Sequence, residues 1–358
     1  MWTAKREDQL KLLPLEQGPL MNLPSLSTIS FFNGDGEGAR VWIRRRLAEV
    51  MQVNPWLDGR LEKAEGGETV LMCQKPGKPA EGDDALPAML FRMERPEEGG
   101  VFVSRAMSYD HEVVEADLMA AGLLGKGGHG SVGRDEPLFK VSLLLDSESP
   151  KDRFALVVSM SHVVADAYTF YYVHNMLSKT GAVVALNPNR NFNARAAIES
   201  AFGRCMLNDP DPGFVFNFFT EMLLSKLLGP GTKTAMYFLD EEWIAREKRA
   251  ATAGGSVQFV STNDVVTCTF LRATRASLPV MFVDARGRVE GVERDCAGCY
   301  SGSICYRPAD YAAPALIRES VDPQPQTLSP KPQTLHPQPQ TLSPKPSTLD
   351  PKHQTLNP

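Results

Sequence analysis

His162 and Asp166 are the residues whose type and spacing best suit chemistry. They close the run Phe154-Ala-Leu-Val-Val-Ser-Met-Ser-His162-Val-Val-Ala-Asp166. Histidine changes charge nearest neutrality, so it is the usual general base in enzymes. An apolar strand that delivers a histidine at its end, with a carboxylate four residues on, is a way to hold a proton acceptor at a pocket mouth. For the bare H-x-x-x-D pattern the competing reading is a core histidine bonded to a backbone carbonyl. Other patterns are weaker. Cys296-Ala-Gly-Cys299 has only Cys305 nearby, and a structural zinc site wants four ligands, so no metal is expected. Gly125-Lys-Gly-Gly-His-Gly130 misses the phosphate-loop spacing and reads as a flexible loop. Arg44-Arg-Arg46 reads as a solvated helix face. No G-x-S-x-G elbow is present, which disfavours serine-hydrolase chemistry.

The elements around His162 follow from periodicity. Phe139, Val141, Leu143 and Leu145 alternate with Lys140, Ser142 and Leu144, the period of a strand. Asp146–Arg153 turns the chain, and Phe154–Met160 is a continuous apolar strand consistent with burial on both faces. The two form an expected hairpin that places His162 just past a central strand, where α/β proteins commonly bind ligands. Residues 167–179 fit a helix whose aromatic residues serve packing. Upstream, residues 27–32 read as a strand, and residues 39–51 read as a helix with Ile43, Leu47 and Val50 inward, ended by Pro55. Short strands are expected at Thr69–Cys73 and Val101–Ser104. Phe214–Leu228 reads as an apolar helix, residues 240–252 as a charged helix and Val257–Val260 as a strand. Ser261-x-x-Asp264 then opens a helix with a capping box and buries Val266, Phe270 and Ala273.

Four stretches, in order, carry a family resemblance. His162–Asp166 resembles the H-x-x-x-D-G signature of the chloramphenicol-acetyltransferase-like acyltransferases, which include the plant-type BAHD enzymes, carnitine acyltransferases, condensation domains and wax-ester synthases. Asn54-Pro-Trp-Leu-Asp-Gly-Arg-Leu61 resembles the element near the start of these enzymes. Asp135-Glu-Pro-Leu-Phe-Lys-Val-Ser-Leu143 resembles the strand that pairs with the His-bearing strand. Ser261-Thr-Asn-Asp264-Val-Val-Thr-Cys-Thr-Phe-Leu-Arg272 resembles the first helix of the second half. Two departures stand out. Ala167 occupies the usual glycine position, and the chain contains no Asp-Phe-Gly-Trp-Gly-like motif.

The resemblance implies a two-lobe α/β fold of mixed sheets flanked by helices, with an incomplete second lobe. It implies transfer of an acyl group from a CoA thioester to a hydroxyl or amine, with acyl-CoA as donor substrate and no bound cofactor. His162 would be the base in direct transfer without an acyl-enzyme. Asp166 would hold the loop through a salt bridge to an arginine rather than face the histidine. Ser161, in place of a second histidine, favours a free CoA donor over a carrier protein. Ser161, Ala167, Thr262 and Asn263 are candidate substrate or channel residues, with capping the competing reading for Thr262 and Asn263.

Composition bounds the partners. The 358 residues are 42% hydrophobic, enough for one large or two medium domains, and the net charge of −5 argues against nucleic acid or an anionic membrane surface. The opening Met1-Trp-Thr-Ala-Lys-Arg-Glu-Asp-Gln9 lacks a signal-peptide core, and no apolar run approaches the ~20 residues of a membrane helix. Six scattered cysteines then read as reduced thiols. A cytoplasmic monomer is the expectation. The organisation expected is a first lobe over 1–190, a helical crossover over 191–254, a partial second lobe over 255–321 and a Pro-rich tail over 322–358. In that tail Thr-Leu recurs at 327, 334, 341, 348 and 355. Proline in every repeat blocks helix, so the tail is expected to be disordered. A catalytically inactive binding relative, or a fragment without its own stable fold, is the alternative reading.

Overall fold

The computed structural model describes residues 8–18, 24–73, 90–94, 111–202, 220, 239–275 and 279–321. The expected strand at Val101–Ser104, the helix at Phe214–Leu228 apart from residue 220, and the repeat tail lie outside these residues. In chain order the elements are β1 (Asp8–Lys11), β2 (Leu26–Asn33), α1 (Gly36–Val53), β3 (Arg60–Lys63), β4 (Thr69–Cys73), β5 (Phe91–Glu94), α2 (His111–Ala120) and α3 (Gly128–Ser131). They continue with β6 (Phe139–Leu145), β7 (Arg153–Met160), α4 (Ala167–Met176), α5 (Ala194–Phe202), α6 (Glu241–Thr252), α7 (Thr262–Thr274), β8 (Val280–Asp284), β9 (Ser301–Cys305) and α8 (Pro314–Val321).

The sheet that positions His162 has the order β2-β7-β6-β5. β7 is central, antiparallel to β2 from Leu26↔Met160 to Asn33↔Arg153 and antiparallel to β6. The hairpin forms because Asp146 Oδ1 accepts the Glu148 and Ser149 amides, which folds the turn back on itself. Successive side chains of β7 go to opposite faces. Leu156, Val158 and Met160 pack with Ile43, Leu47 and Val50 of α1 and Phe170, Val173 and Met176 of α4. Ala155 and Val157 pack with Leu118, Leu123 and Leu124 on the other face. Burial on both faces is the reason this strand is apolar throughout. β6 is buried in the same way, Ser142 included, so its alternation does not mark a solvent face.

Two smaller sheets complete the described strands, β1-β4-β3 and the antiparallel pair β8-β9. α1 starts where Asp35 accepts the Glu37 and Gly38 amides. Its arginines are not a uniform solvated face: the half-buried Arg46 donates from Nε to Met176 O at 2.7 Å, tying α1 to the end of α4. α4 stops at Met176, short of the expected 179.

Three further expectations are corrected. Residues 125–130 are not a free loop. Gly125 N donates to Ser159 Oγ at 3.0 Å, a Cβ at Gly125 would lie 2.3 Å from Ser25 Oγ, and Gly128 begins α3. Residues 257–260 are not a strand, and among the described residues no strand pairs with them; Val260 instead packs with Ile244 and Val265. α7 buries Val265, Cys268 and Leu271, while Phe270 is 63% exposed. Both phases obey helical spacing, and packing of Cys268 and Leu271 against Tyr306, Tyr311 and Ile317 selects between them. Ser261 Oγ accepts Asp264 N while Asp264 Oδ2 accepts Ser261 N, and the same Oδ2 takes Arg318 Nη2 at 2.6 Å. Ser261→Ala is expected to cost about 1 kcal/mol, read as a lower urea midpoint; an unchanged midpoint would show that the cap contributes nothing.

A half-buried histidine with a buried ring nitrogen predicts pH dependence. His174 Nε2, on α4 beside the rings of Phe170 and Tyr171, has no hydrogen-bond partner. Burial lowers its pKa below the ordinary value of 6.5. The unfolded chain therefore binds the proton more readily than the folded one. The stabilising effect of neutral His174 is complete above the unfolded value and is lost as pH falls below about 6.5. Urea midpoints between pH 7.5 and 5 should fall less steeply for His174→Gln than for the parent chain.

Candidate active site

His162 sits in the turn between β7 and α4, half-buried, with no side-chain hydrogen bond to any described residue. Its neighbours anchor that turn. Val163, Val164 and Ala165 are fully buried in the main core. Ser161 N extends the ladder one step beyond β7 by donating to Leu138 O at 2.7 Å, and Ser161 O accepts Val164 N. Ser161 itself is buried, and its Oγ accepts Val163 N at 3.4 Å, which places it inside the turn.

Asp166 does not bond His162. Its Oδ1 accepts Thr169 N at 2.9 Å and caps α4. Its Oδ2 accepts Arg286 Nη1 at 2.8 Å, Tyr300 N at 3.0 Å and Ser301 Oγ at 3.4 Å. Arg286 follows the end of β8 and its side chain is wholly buried. All of its N–H groups have partners. Nε donates to Cys296 O, Nη1 to Asp166 and Asp284, and Nη2 to Thr169 Oγ1 and Gly298 O. The Tyr168 and Tyr300 rings lie 4.6 and 5.1 Å from its Cζ. Burial alone would lower the Arg286 pKa; the carboxylates of Asp166 and Asp284 outweigh it and raise the pKa. The guanidinium is a fixed charge at every working pH.

The segment 296–300 therefore straps the His162 turn. Gly298 O accepts both Asp166 N and Thr169 Oγ1, and Ala297 N donates to Asn187 O. Cys296 and Cys299 lie in this strap as buried free thiols whose pKa values burial pushes up. Burial thus disfavours the free thiolate at both positions. No group of three or more His, Cys, Asp or Glu able to hold a metal occurs among the described residues.

Sequence reasoning missed Arg286. The available signal was an apolar run, Val280–Val283, ending on Asp284 and Arg286, the same strand-then-charge layout that marks His162.

No protein-family model matches the chain, and no curated protein matches it. Solved structures do. One is TRI101 of F. graminearum complexed with coenzyme A and T-2 mycotoxin: 16% identity, 88% of this chain and 75% of that chain covered, TM-score 0.50. TRI101 of F. graminearum with ethyl coenzyme A gives 15% identity, the same coverages and TM-score 0.50. The first condensation domain of the CDA synthetase gives 17% identity, 88% and 73% coverage and TM-score 0.45. The chain has the chloramphenicol-acetyltransferase-like fold.

Within the chloramphenicol-acetyltransferase-like fold, the remaining candidates fall as follows. Ala167 is exposed at the first position of α4, and Arg275 is the only non-glycine residue with positive φ among the described residues. A glycine is not needed at 167, so the departure there carries no conformational cost. Thr262 and Asn263 are exposed in the first turn of α7, whose cap is made by their neighbours Ser261 and Asp264. The structure does not show them beside His162. No helix among the described residues is long and apolar enough to cross a membrane.

A cavity of about 450 Å³ opens beside β5 and β6, lined by residues including Arg92, Lys126, Arg134, Glu136 and Lys140. Lys140 donates to Gly122 O, Leu124 O and Glu136, and Lys126 pairs with Glu136. These ammonium groups are spent on the protein itself.

Proposed function

We propose that the chain transfers an acyl group from a CoA thioester to a hydroxyl or amine acceptor, with His162 as general base. The observation that carries this reading is the His162 turn. A half-buried imidazole with no protein partner stands on a loop that is fixed by buried backbone and by the Asp166–Arg286 pair. A base whose nitrogens are not spent on the protein is available to a substrate proton. The shared fold supports the donor class, since TRI101 structures of this fold hold coenzyme A.

The imidazole takes the acceptor proton as the acceptor oxygen or nitrogen bonds to the thioester carbon. The tetrahedral intermediate collapses, the C–S bond breaks, and the imidazolium returns the proton to the departing CoA sulfur. Holding the base in place before reaction is how the rigid turn contributes to rate. Asp166 keeps Arg286 and α4 in register and does not polarise the ring. The test is acceptor-dependent release of free CoA thiol from acetyl-CoA and longer acyl-CoAs by the full chain. Release that requires His162 supports the assignment. A folded chain that binds acyl-CoA and never releases thiol with any acceptor would favour the binding-protein reading.

A further inference from the structure

We propose that Glu16 and Arg190 form a second, buried positioning pair that sets the backbone of the His162 turn; its link to turnover rests on His162 being the base. The two residues are 174 positions apart, and their side chains are 0% and 1% exposed. An ion pair taken out of water persists only when its remaining donors and acceptors are satisfied. Here they are. Arg190 Nε donates to both Glu16 oxygens at 3.0 Å. Nη1 donates to Pro188 O at 2.8 Å and Ala297 O at 3.0 Å, and Nη2 donates to Val164 O at 3.3 Å. Glu16 Oε1 accepts Cys299 N at 2.9 Å, and Oε2 accepts Leu13 N at 2.8 Å.

The Val164 contact distinguishes this pair from an ordinary core clamp. Val164 lies midway between His162 and Asp166, and its carbonyl is held by Arg190. Arg286 grips only the Asp166 end. The turn is therefore pinned by two guanidiniums, and both also hold the strap, Arg190 at Ala297 and Arg286 at Cys296 and Gly298. Gly298 passes between them at φ +122°, where a Cβ would come within 2.7 Å of Arg190 Cζ and 2.8 Å of Glu16 Oε1. Lysine cannot replace Arg190 here, because a single ammonium cannot serve Glu16, Ala297 and Val164 in the directions a planar fork does. Gln at 16 keeps the shape but sets an NH2 group against one of the two amides, Leu13 N or Cys299 N, that the carboxylate oxygens accept.

The experiment uses the full chain with Arg190→Lys, Glu16→Gln and Gly298→Ala, the last disturbing the pair without removing a charge. Amide hydrogen exchange is read at Val163–Asp166 against β6 and β7, together with kcat and KM for CoA release. The expected result is faster exchange confined to the His162 turn and the strap, the β6–β7 amides staying protected. With it, kcat should fall up to about 100-fold, the scale of a slightly misplaced catalytic group, and KM should hold. Unchanged exchange at Val163–Asp166 in a folded variant overturns the proposal, and so does an unchanged kcat. If the parent chain releases no thiol at all, the base assignment fails and the exchange data alone decide whether the pair sets the turn.

Discussion

His162→Ala is expected to abolish acyl transfer and leave the fold intact. The imidazole makes no hydrogen bond to a described residue, and the buried Val163, Val164 and Ala165 supply the packing of the turn. Removing the ring therefore takes away chemistry without taking away structure. Loss of a positioned general base costs roughly 10²–10⁴-fold in rate. The matched measurements are thiol release under saturating acyl-CoA and thermal unfolding by circular dichroism. A variant that melts like the parent and still turns over at the parental rate would end the assignment of His162 as base.

Asp166→Ala is expected to unfold more easily and also to lose activity, because the turn loosens. Without the carboxylate, Arg286 keeps its position in the core with one counter-charge removed. Breaking a buried pair from one side costs about 3–5 kcal/mol. The α4 cap on Thr169 N is lost as well. Asp166→Asn separates the contributions, since an amide oxygen can still cap α4 but brings no charge to Arg286. Urea unfolding should rank the parent above Asn and Asn above Ala. If Asp166→Ala unfolds at the parental midpoint, the buried pair is not what holds the turn.

The first half of this site was legible because it is local. The β6–β7 hairpin, His162 past the strand end, α1 with Ile43, Leu47 and Val50 inward, and the Ser261–Asp264 capping box all rest on patterns within a dozen residues or so. The misses share a physical cause. The phase of α7 could not be read because two helical faces were about equally apolar, and packing against Tyr306, Tyr311 and Ile317 chose Cys268 and Leu271. Val257–Val260 has strand composition, and among the described residues no strand pairs with it. Arg286, Arg190 and Glu16 could not be paired with the His162 turn because nothing in a linear pattern brings residues 16, 166, 190 and 286 together. Only the packed chain does, and the arginines then look unlike the surface arginines that composition leads one to expect.

That dispersal sets a schedule for the newborn chain. Asp166 must wait for Arg286, 120 residues downstream, and Glu16 must wait for Cys299, 283 residues downstream. At roughly 5–20 residues per second of synthesis, His162 emerges seconds to tens of seconds before the strap that fixes it. The hairpin and α1 can collapse on their own contacts in that interval, while the turn carrying the base stays loose. The reactive geometry is thus among the last features a growing chain acquires, and a nascent chain stopped before Arg286 has the histidine without the frame that holds it.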